Sequence, residues 1–261
     1  LLGVVHVAAL PSAAKHVSMQ DVLAKALADA RVYARCGFDG VIVENFGDAP
    51  FHKGTRDDPV PPDVPAALAV VAARIAAETG LPLGVNCLRN DGAAALGVAA
   101  AVGARWIRVN VLAGVYATDQ GIVEGDAARL FAYRKQLHSD VAVLADFLVK
   151  HASPLAPVDV AVGAGGARDL AERSGAHGLV LSGARTGVAV DVGFFDTVRA
   201  SVGAFPIWVG AGLTTANAAA LWPRCDGAIV GTFCKRDGRV TEPVDADRAQ
   251  ALRDACARAR G

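Results

Sequence analysis

The sequence contains no C-x-x-C pair. Its five cysteines, Cys36, Cys87, Cys225, Cys234 and Cys256, are odd in number and widely scattered, which argues against a disulfide framework and against a thiolate zinc site. They read as reduced, mostly buried thiols of a cytoplasmic protein. Net charge is lacking as well: 26 Lys and Arg balance 26 Asp and Glu, so neither a nucleic-acid surface nor a polybasic membrane patch is indicated. Long apolar runs are missing. The longest uncharged one, residues 92–104, falls well short of the roughly 18 residues a membrane span needs, and its Ala and Gly content suits a packed helix. No secretory signal pattern opens the chain. It begins at Leu1 rather than Met, so a few residues are expected to precede it.

What is present is apolar: 53% of 261 residues, ample for a large core. β-Branched runs recur at residues 3–7, 40–45, 83–88, 106–112, 141–149, 178–182, 206–209 and 227–230. Stretches of helical composition fall at 18–37, 61–79, 92–102, 125–138, 164–173, 192–202, 215–222 and 245–259. Ser18 and Asp21 give the first of these a capping-box-like start. Eight strands alternating with eight helices in a chain of this length predict a single (β/α)8 TIM barrel over residues 1–261. An open doubly wound sheet is the alternative. It needs a topological switch, and no break in composition supports two halves. The helix at 164–173 is the weakest, because Gly163, Gly165 and Gly166 are poor helix formers. That glycine run reads as a loop or loose helix start rather than a phosphate loop.

The apolar runs end abruptly in ionisable or amide side chains: VIVENFGDAP, LGVNCLRND, WIRVNVLAG, VLADFLVKH. A buried parallel strand reads as a nearly continuous apolar run, and the rim at its C-terminal end is where barrels collect ligands. Glu44 and Asp48, four apart after the second strand, suit a general base, a metal ligand or an acceptor for sugar hydroxyls, with Asn45 between them. Asn86, Arg89 and Asn90 follow the third strand. Arg108 and Asn110 on the fourth share one face, and an inward Arg108 needs a carboxylate or an anionic ligand. Asp146, Lys150 and His151 end the fifth. Matching strand parity puts Asp146 and Lys150 on one side, with His151 opposite unless the strand has already ended. Lys150 suits a Schiff base, an enediolate or a phosphate, and His151 suits proton transfer. Glu44, Asp146 and Lys150 are the candidate catalytic set; Asn45, Asp48, Asn86, Arg89, Asn90, Arg108, Asn110 and His151 are candidate substrate contacts. Asp146 with Glu44 is also a set that a hard divalent cation such as Mg2+ accepts, although no ligand spacing compels it.

Gly210, Gly212, Gly231 and Thr232 close the last two strands. There backbone N–H groups can approach an anion, and barrel phosphate sites fall at this place. Ser182 and Gly183, and then Arg185, Thr186 and Gly187, offer further donors. His6 reads as a hydrogen-bonded core histidine, and His16, His138 and His177 as surface. Residues 118–121 read as a polar loop. Residues 52–59 are charged and long, which suits either a lid over the barrel mouth or a solvated loop.

The motifs GVVHVAALP, DGVIVENFGDAPF, LGVNCLRND, IRVNV, TDQG, ADFLVKHA and DGAIVGTFCK closely resemble the BtpA/SgcQ family of barrel proteins, over about residues 3–247. The resemblance implies a relation to ribulose-phosphate-binding barrels. One branch of the family is named for photosystem I biogenesis, and another sits beside sugar-phosphate uptake genes. It brings no catalytic residue set. After the first strand the family's Pro-Gly-Ser type turn is here Pro11-Ser12-Ala13-Ala14.

The expectation is an enzyme acting on a phosphorylated sugar or nucleotide-like molecule by isomerase, lyase or glycosyl-bond chemistry. The competing class is a non-catalytic assembly factor of the photosystem type. A homo-oligomer is expected from fold analogy only.

Overall fold

A computed structural model describes residues 1–156, 164–183 and 189–260. Gly163 and the donors Arg185, Thr186 and Gly187 lie outside the described residues. The chain runs β1 (Leu2–His6), α1 (Met19–Arg35), β2 (Gly40–Glu44), α2 (Asp63–Thr79), β3 (Leu83–Asn86), α3 (Gly92–Val102) and β4 (Trp106–Val109). It continues through β5 (Val115–Thr118), β6 (Gly121–Glu124), α4 (Ala127–Gln136), β7 (Ala142–Phe147), β8 (Ala152–Pro154), α5 (Ala164–Arg173) and β9 (Gly178–Leu181). α6 (Val192–Val202), β10 (Ile207–Val209), α7 (Ala218–Leu221), β11 (Gly227–Val230) and α8 (Ala246–Arg260) complete it. Strands β1, β2, β3, β4, β7, β9, β10 and β11 close into one parallel barrel in that order. The (β/α)8 expectation is the fold observed.

Strand periodicity explains both the barrel and its site. Alternate residues point to opposite faces. The outward set, among them Val5, Val43, Val85, Ile107, Val143, Leu179, Val209 and Val230, packs with the helices into one apolar cluster. The inward set forms a second, smaller cluster of Leu2, Val4, Ile42, Leu144, Val180 and Ile229, with Trp106 and Trp208 against it. Glycines make room for these tryptophans. A Cβ at Gly84 would lie 1.9 Å from Trp106 Nε1, and one at Gly227 would lie 2.4 Å from Trp208. The barrel floor is therefore filled by side chains, and only the tier above it is polar.

The helices start where local chemistry allows. Ser18 caps α1, accepting from the Asp21 N–H. Asp91 caps α3, accepting from Ala94 N–H at 2.8 Å and Val60 N–H at 3.2 Å. All five cysteines are buried free thiols. No described helix is long and apolar enough to cross a membrane.

Two features depart from the sequence reading. Residues 118–121 are the tip of a hairpin, β5–β6, and β8 pairs antiparallel with β5 to make a three-stranded sheet. Its inner face, Tyr116 and Val123, packs on Val111 and Val149. The fifth barrel strand also ends early, at Phe147, and Leu148 takes the left-handed conformation with φ 54. The parity that placed Lys150 beside Asp146 therefore does not apply, since regular alternation has stopped.

Candidate active site

Four inward side chains sit side by side at the top of the barrel. The strand register pairs His6 with Glu44, Glu44 with Asn86, and Asn86 with Arg108. Asn86 Nδ2 donates to Glu44 Oε2 at 2.7 Å. The other carboxylate oxygen, Oε1, lies 4.0 Å from His6 Nε2. The His6 ring meets Phe46 edge-on, with centroids 4.9 Å apart. Burial, together with the positive charges of Lys235, Lys150 and Arg108, holds its pKa well below the ordinary 6.5, so His6 is neutral at pH 7. Lys235 is itself fully buried and paired with Asp29 of α1.

Asp146 is not poised as a base or metal ligand. Its Oδ1 accepts from Arg108 Nε at 2.8 Å, and its Oδ2 accepts from Arg108 Nη2 at 2.9 Å and Asn110 Nδ2 at 2.8 Å. A fork pair of this kind uses both carboxylate oxygens. The Glu44–Asp146 set read as a Mg2+ site therefore does not fit a cation. Among the described residues no group of three or more His, Cys, Asp or Glu side chains could hold a metal.

Three further expectations change in the same way. Asn45 Oδ1 accepts from Leu88 N–H and its Nδ2 donates to Asp48 and Leu88 carbonyl. Asn90 donates to and accepts from the Val111 backbone. Asp48 accepts from Leu10 N–H at 2.7 Å, and burial raises its pKa. These three groups tie the β1, β2, β3 and β4 connections to one another, so these hydrogen bonds serve the fold. His151 is exposed, at a second left-handed turn (φ 57). The 52–59 segment is not a free lid: Arg89 N–H donates to His52 carbonyl, and Asp58 receives Lys53 N–H.

A cavity of 390 Å³ opens above this tier, lined among others by His6, Glu44, Arg108, Lys150, Gly212, Thr232 and Arg248. Lys150 enters from the loop after β7. Burial first, then Arg108, lowers its pKa to about 8. Opposite the charged side lies the glycine rim. Gly212 has φ 75, a left-handed conformation that favours glycine. Asn217 clamps its loop, donating to Gly212 carbonyl and accepting from Thr214 N–H, both at 2.8 Å. Gly210 leaves space for Ser182 Oγ, 2.6 Å from where its Cβ would stand. That hydroxyl is buried and has no hydrogen-bond partner among the described residues. Gly183 is buried beside it.

Two ionisable lining residues were not among the sequence candidates. His6 shares inward parity with Leu2 and Val4, a signal present in β1 but outweighed there by the core reading. Arg248 comes from α8, where no strand-end pattern points to it. Its Nε donates to Phe233 carbonyl at 2.7 Å and its guanidinium lies over the Phe233 ring. Gly231 is glycine because of His6: an added Cβ would stand 2.5 Å from His6 Cε1. Gly231→Ala is expected to cost about 1–3 kcal/mol by overpacking, read from the denaturation midpoint together with a moved His6 ring resonance. An unchanged midpoint and resonance would show that the imidazole is not confined there.

A family model described as the BtpA family matches residues 1–258. The chain belongs to the BtpA family. Its relatives include the photosystem I biogenesis protein BtpA of Synechocystis, 40% identical over 98% of this chain and 88% of that protein. An uncharacterized protein of Thermococcus kodakarensis is 46% identical over 97% of this chain and 93% of its own. Among solved structures, N-(5'-phosphoribosyl)anthranilate isomerase from Pyrococcus furiosus superposes with a TM-score of 0.59, 12% identity and 98% coverage of both chains. Orotidine 5'-phosphate decarboxylase from Pyrococcus horikoshii gives 0.56, with 14% identity over 100% of both. At such identities these two establish that this BtpA-family chain shares their barrel fold.

Proposed function

We propose that the protein is an enzyme acting on a phosphorylated sugar or related small molecule by proton transfer next to a carbonyl. The observation that carries this is one cavity lined both by the half-free carboxylate of Glu44 with the Lys150 ammonium and by the glycine rim with Arg248. The phosphate rests against the backbone of Gly212, Gly231 and Thr232, with Arg248 supplying charge. Glu44 Oε1 takes the proton from the carbon next to the carbonyl. Lys150 stabilises the oxygen on which negative charge develops and relays the hydroxyl proton from one oxygen to the other, and return of the first proton from Glu44 to the neighbouring carbon completes an isomerisation. Asn86 holds the Glu44 carboxylate in place. Glycosyl-bond chemistry fits less well, because it needs two available carboxyl groups and Asp146 is engaged by Arg108 and Asn110. The fold shared with a phosphoribosyl isomerase and a nucleotide decarboxylase agrees with this substrate class.

The test is hydrogen exchange in D2O with a panel of aldose and ketose phosphates, followed by NMR. Deuterium is expected at the carbon next to the carbonyl of at least one compound. Glu44→Gln is expected to slow it by roughly 10²–10⁴-fold while binding, read by thermal shift, remains. Exchange that survives in Glu44→Gln would remove Glu44 from this role.

A second reading rests on the Synechocystis relative, whose name is that of a photosystem I biogenesis protein. Under it the cavity binds a small anion without turnover while another surface serves assembly. Binding with no exchange for any compound supports that reading.

A further inference from the structure

The charges around the cavity do not balance. Buried or half-buried in its charged side are three cations, Arg89, Arg108 and Lys150, against two carboxylates, Glu44 and Asp146. Arg108 is satisfied by Asp146, and Glu44 receives Asn86. Arg89 is only 9% exposed, and its Nη2 donates to the Lys150 carbonyl at 2.7 Å. Among the described residues no carboxylate oxygen lies within 4.0 Å of the Arg89 guanidinium or of Lys150 Nζ. The further carboxylate that acts on Arg89, Asp119, is exposed at the hairpin tip. A cation withdrawn from water without a counter-charge is costly. Two of them side by side, one facing the cavity and one behind it, lack an anion that the described chain does not provide.

The strand order sets Arg89 apart from the glycine rim, while Lys150, in the connection after β7, stands two strands from β10 and three from β11. Going round the barrel, β3, which carries Arg89 after it, stands four strands from β10, which carries Gly210 and Gly212 after it. In a ring of eight that is the opposite wall. Arg248 belongs to the rim side, with Gly238 and Phe233.

We infer that the substrate carries two anionic groups, a phosphate at the glycine rim and a second oxyanion on Lys150, with Arg89 behind it. This deepens the phosphorylated-substrate reading and rests on it. It also gives the Lys150 loop a purpose beyond the reacting carbon: the second anion neutralises the excess cation and fixes which end of the molecule faces Glu44. An anion there raises the proton affinity of Lys150, whose pKa is about 8 without one, so binding near pH 8.5 takes up a fraction of a proton.

Isothermal titration of the full chain with two matched pairs tests this. Glycerol 3-phosphate and 3-phosphoglycerate differ by a terminal carboxylate; ribulose 5-phosphate and ribulose 1,5-bisphosphate differ by a terminal phosphate. In at least one pair the doubly anionic member is expected to bind tenfold or more tightly, the scale of one charge-assisted contact. Lys150→Met is expected to erase that ratio. Arg248→Met is expected to weaken both members of the pair alike. Arg89→Met repeats the test where it folds, but Lys150→Met alone decides. Proton uptake near pH 8.5, read from the buffer dependence of the heat, is expected for the doubly anionic member only. Equal affinities within both pairs, or a ratio that survives in Lys150→Met, overturn the second anion while leaving the phosphate rim standing. If none of the four compounds binds, the phosphate-rim reading fails and this inference fails with it.

Discussion

Asp146→Ala is expected to destabilise the protein by about 3–5 kcal/mol, the scale for removing one partner of a buried ion pair. Arg108 is 5% exposed, so little water reaches it to replace the carboxylate. The substitution strands its Nε and Nη2 donors and leaves Asn110 Nδ2 without an acceptor. Most of the cost is the penalty of an uncompensated buried charge, not the worth of the pair. Replacing both members, Arg108→Met with Asp146→Leu, is therefore expected to recover most of the loss. Urea denaturation of the two single variants and the double variant reads this directly. A loss under 1 kcal/mol in Asp146→Ala would mean that solvent reaches Arg108, and the tier would then be an open surface.

Lys150→Met is expected to act in the other direction and stabilise the unliganded protein, on the order of 2–3 kcal/mol at pH 7. The folded protein lowers the Lys150 pKa from 10.5 to about 8, chiefly by burial and then through Arg108. Below pH 8 the lysine is protonated in both the folded and unfolded states, and holding that buried charge costs the folded state the full amount. Between pH 8 and 10.5 the unfolded chain binds the greater share of the proton, so wild-type stability rises with pH. Above 10.5 the penalty is gone. The advantage of the variant should accordingly shrink across that window and vanish at its top. Thermal denaturation from pH 6 to 10.5 measures it. A constant difference would mean that Lys150 is not the titrating group. A residue that costs stability in the resting protein is characteristic of one retained for binding or chemistry.

The barrel was legible because its inward and outward faces are coded by different alternations of one short run. Val41, Ile42, Val43 and Glu44 read as an apolar strand with a polar end, and the structure places Glu44 inward above Ile42. The glycine rim was legible from its position after the last two strands. Pairing within the polar tier was not. Nothing in the order of residues distinguishes a carboxylate that faces a ligand from one that neutralises an arginine, so Asp146 read like Glu44. Asn45 and Asn90 looked like ligand contacts, because an amide that bonds to the backbone of a neighbouring loop has no local signature. Lys150 reached the cavity by a route that parity did not describe, through the left-handed turn at Leu148. β5, β6 and β8 are as short as several barrel strands but mostly exposed, so no apolar run marks them, and one of them pairs across more than thirty positions of sequence.

That small sheet joins two loops that in a barrel are usually separate. β5 and β6 belong to the connection after β4, and β8 to the connection after β7 that also carries Lys150. Backbone hydrogen bonds between β5 and β8 make them one piece, so this part of the rim is inherited as a unit. Grafting either segment alone into another barrel would leave an unpaired edge and a lysine with no fixed address, whereas moving both together carries the cover and its charge intact. Drift in one of these segments is expected to be constrained by the other, and an altered ligand preference should be sought in paired changes across them.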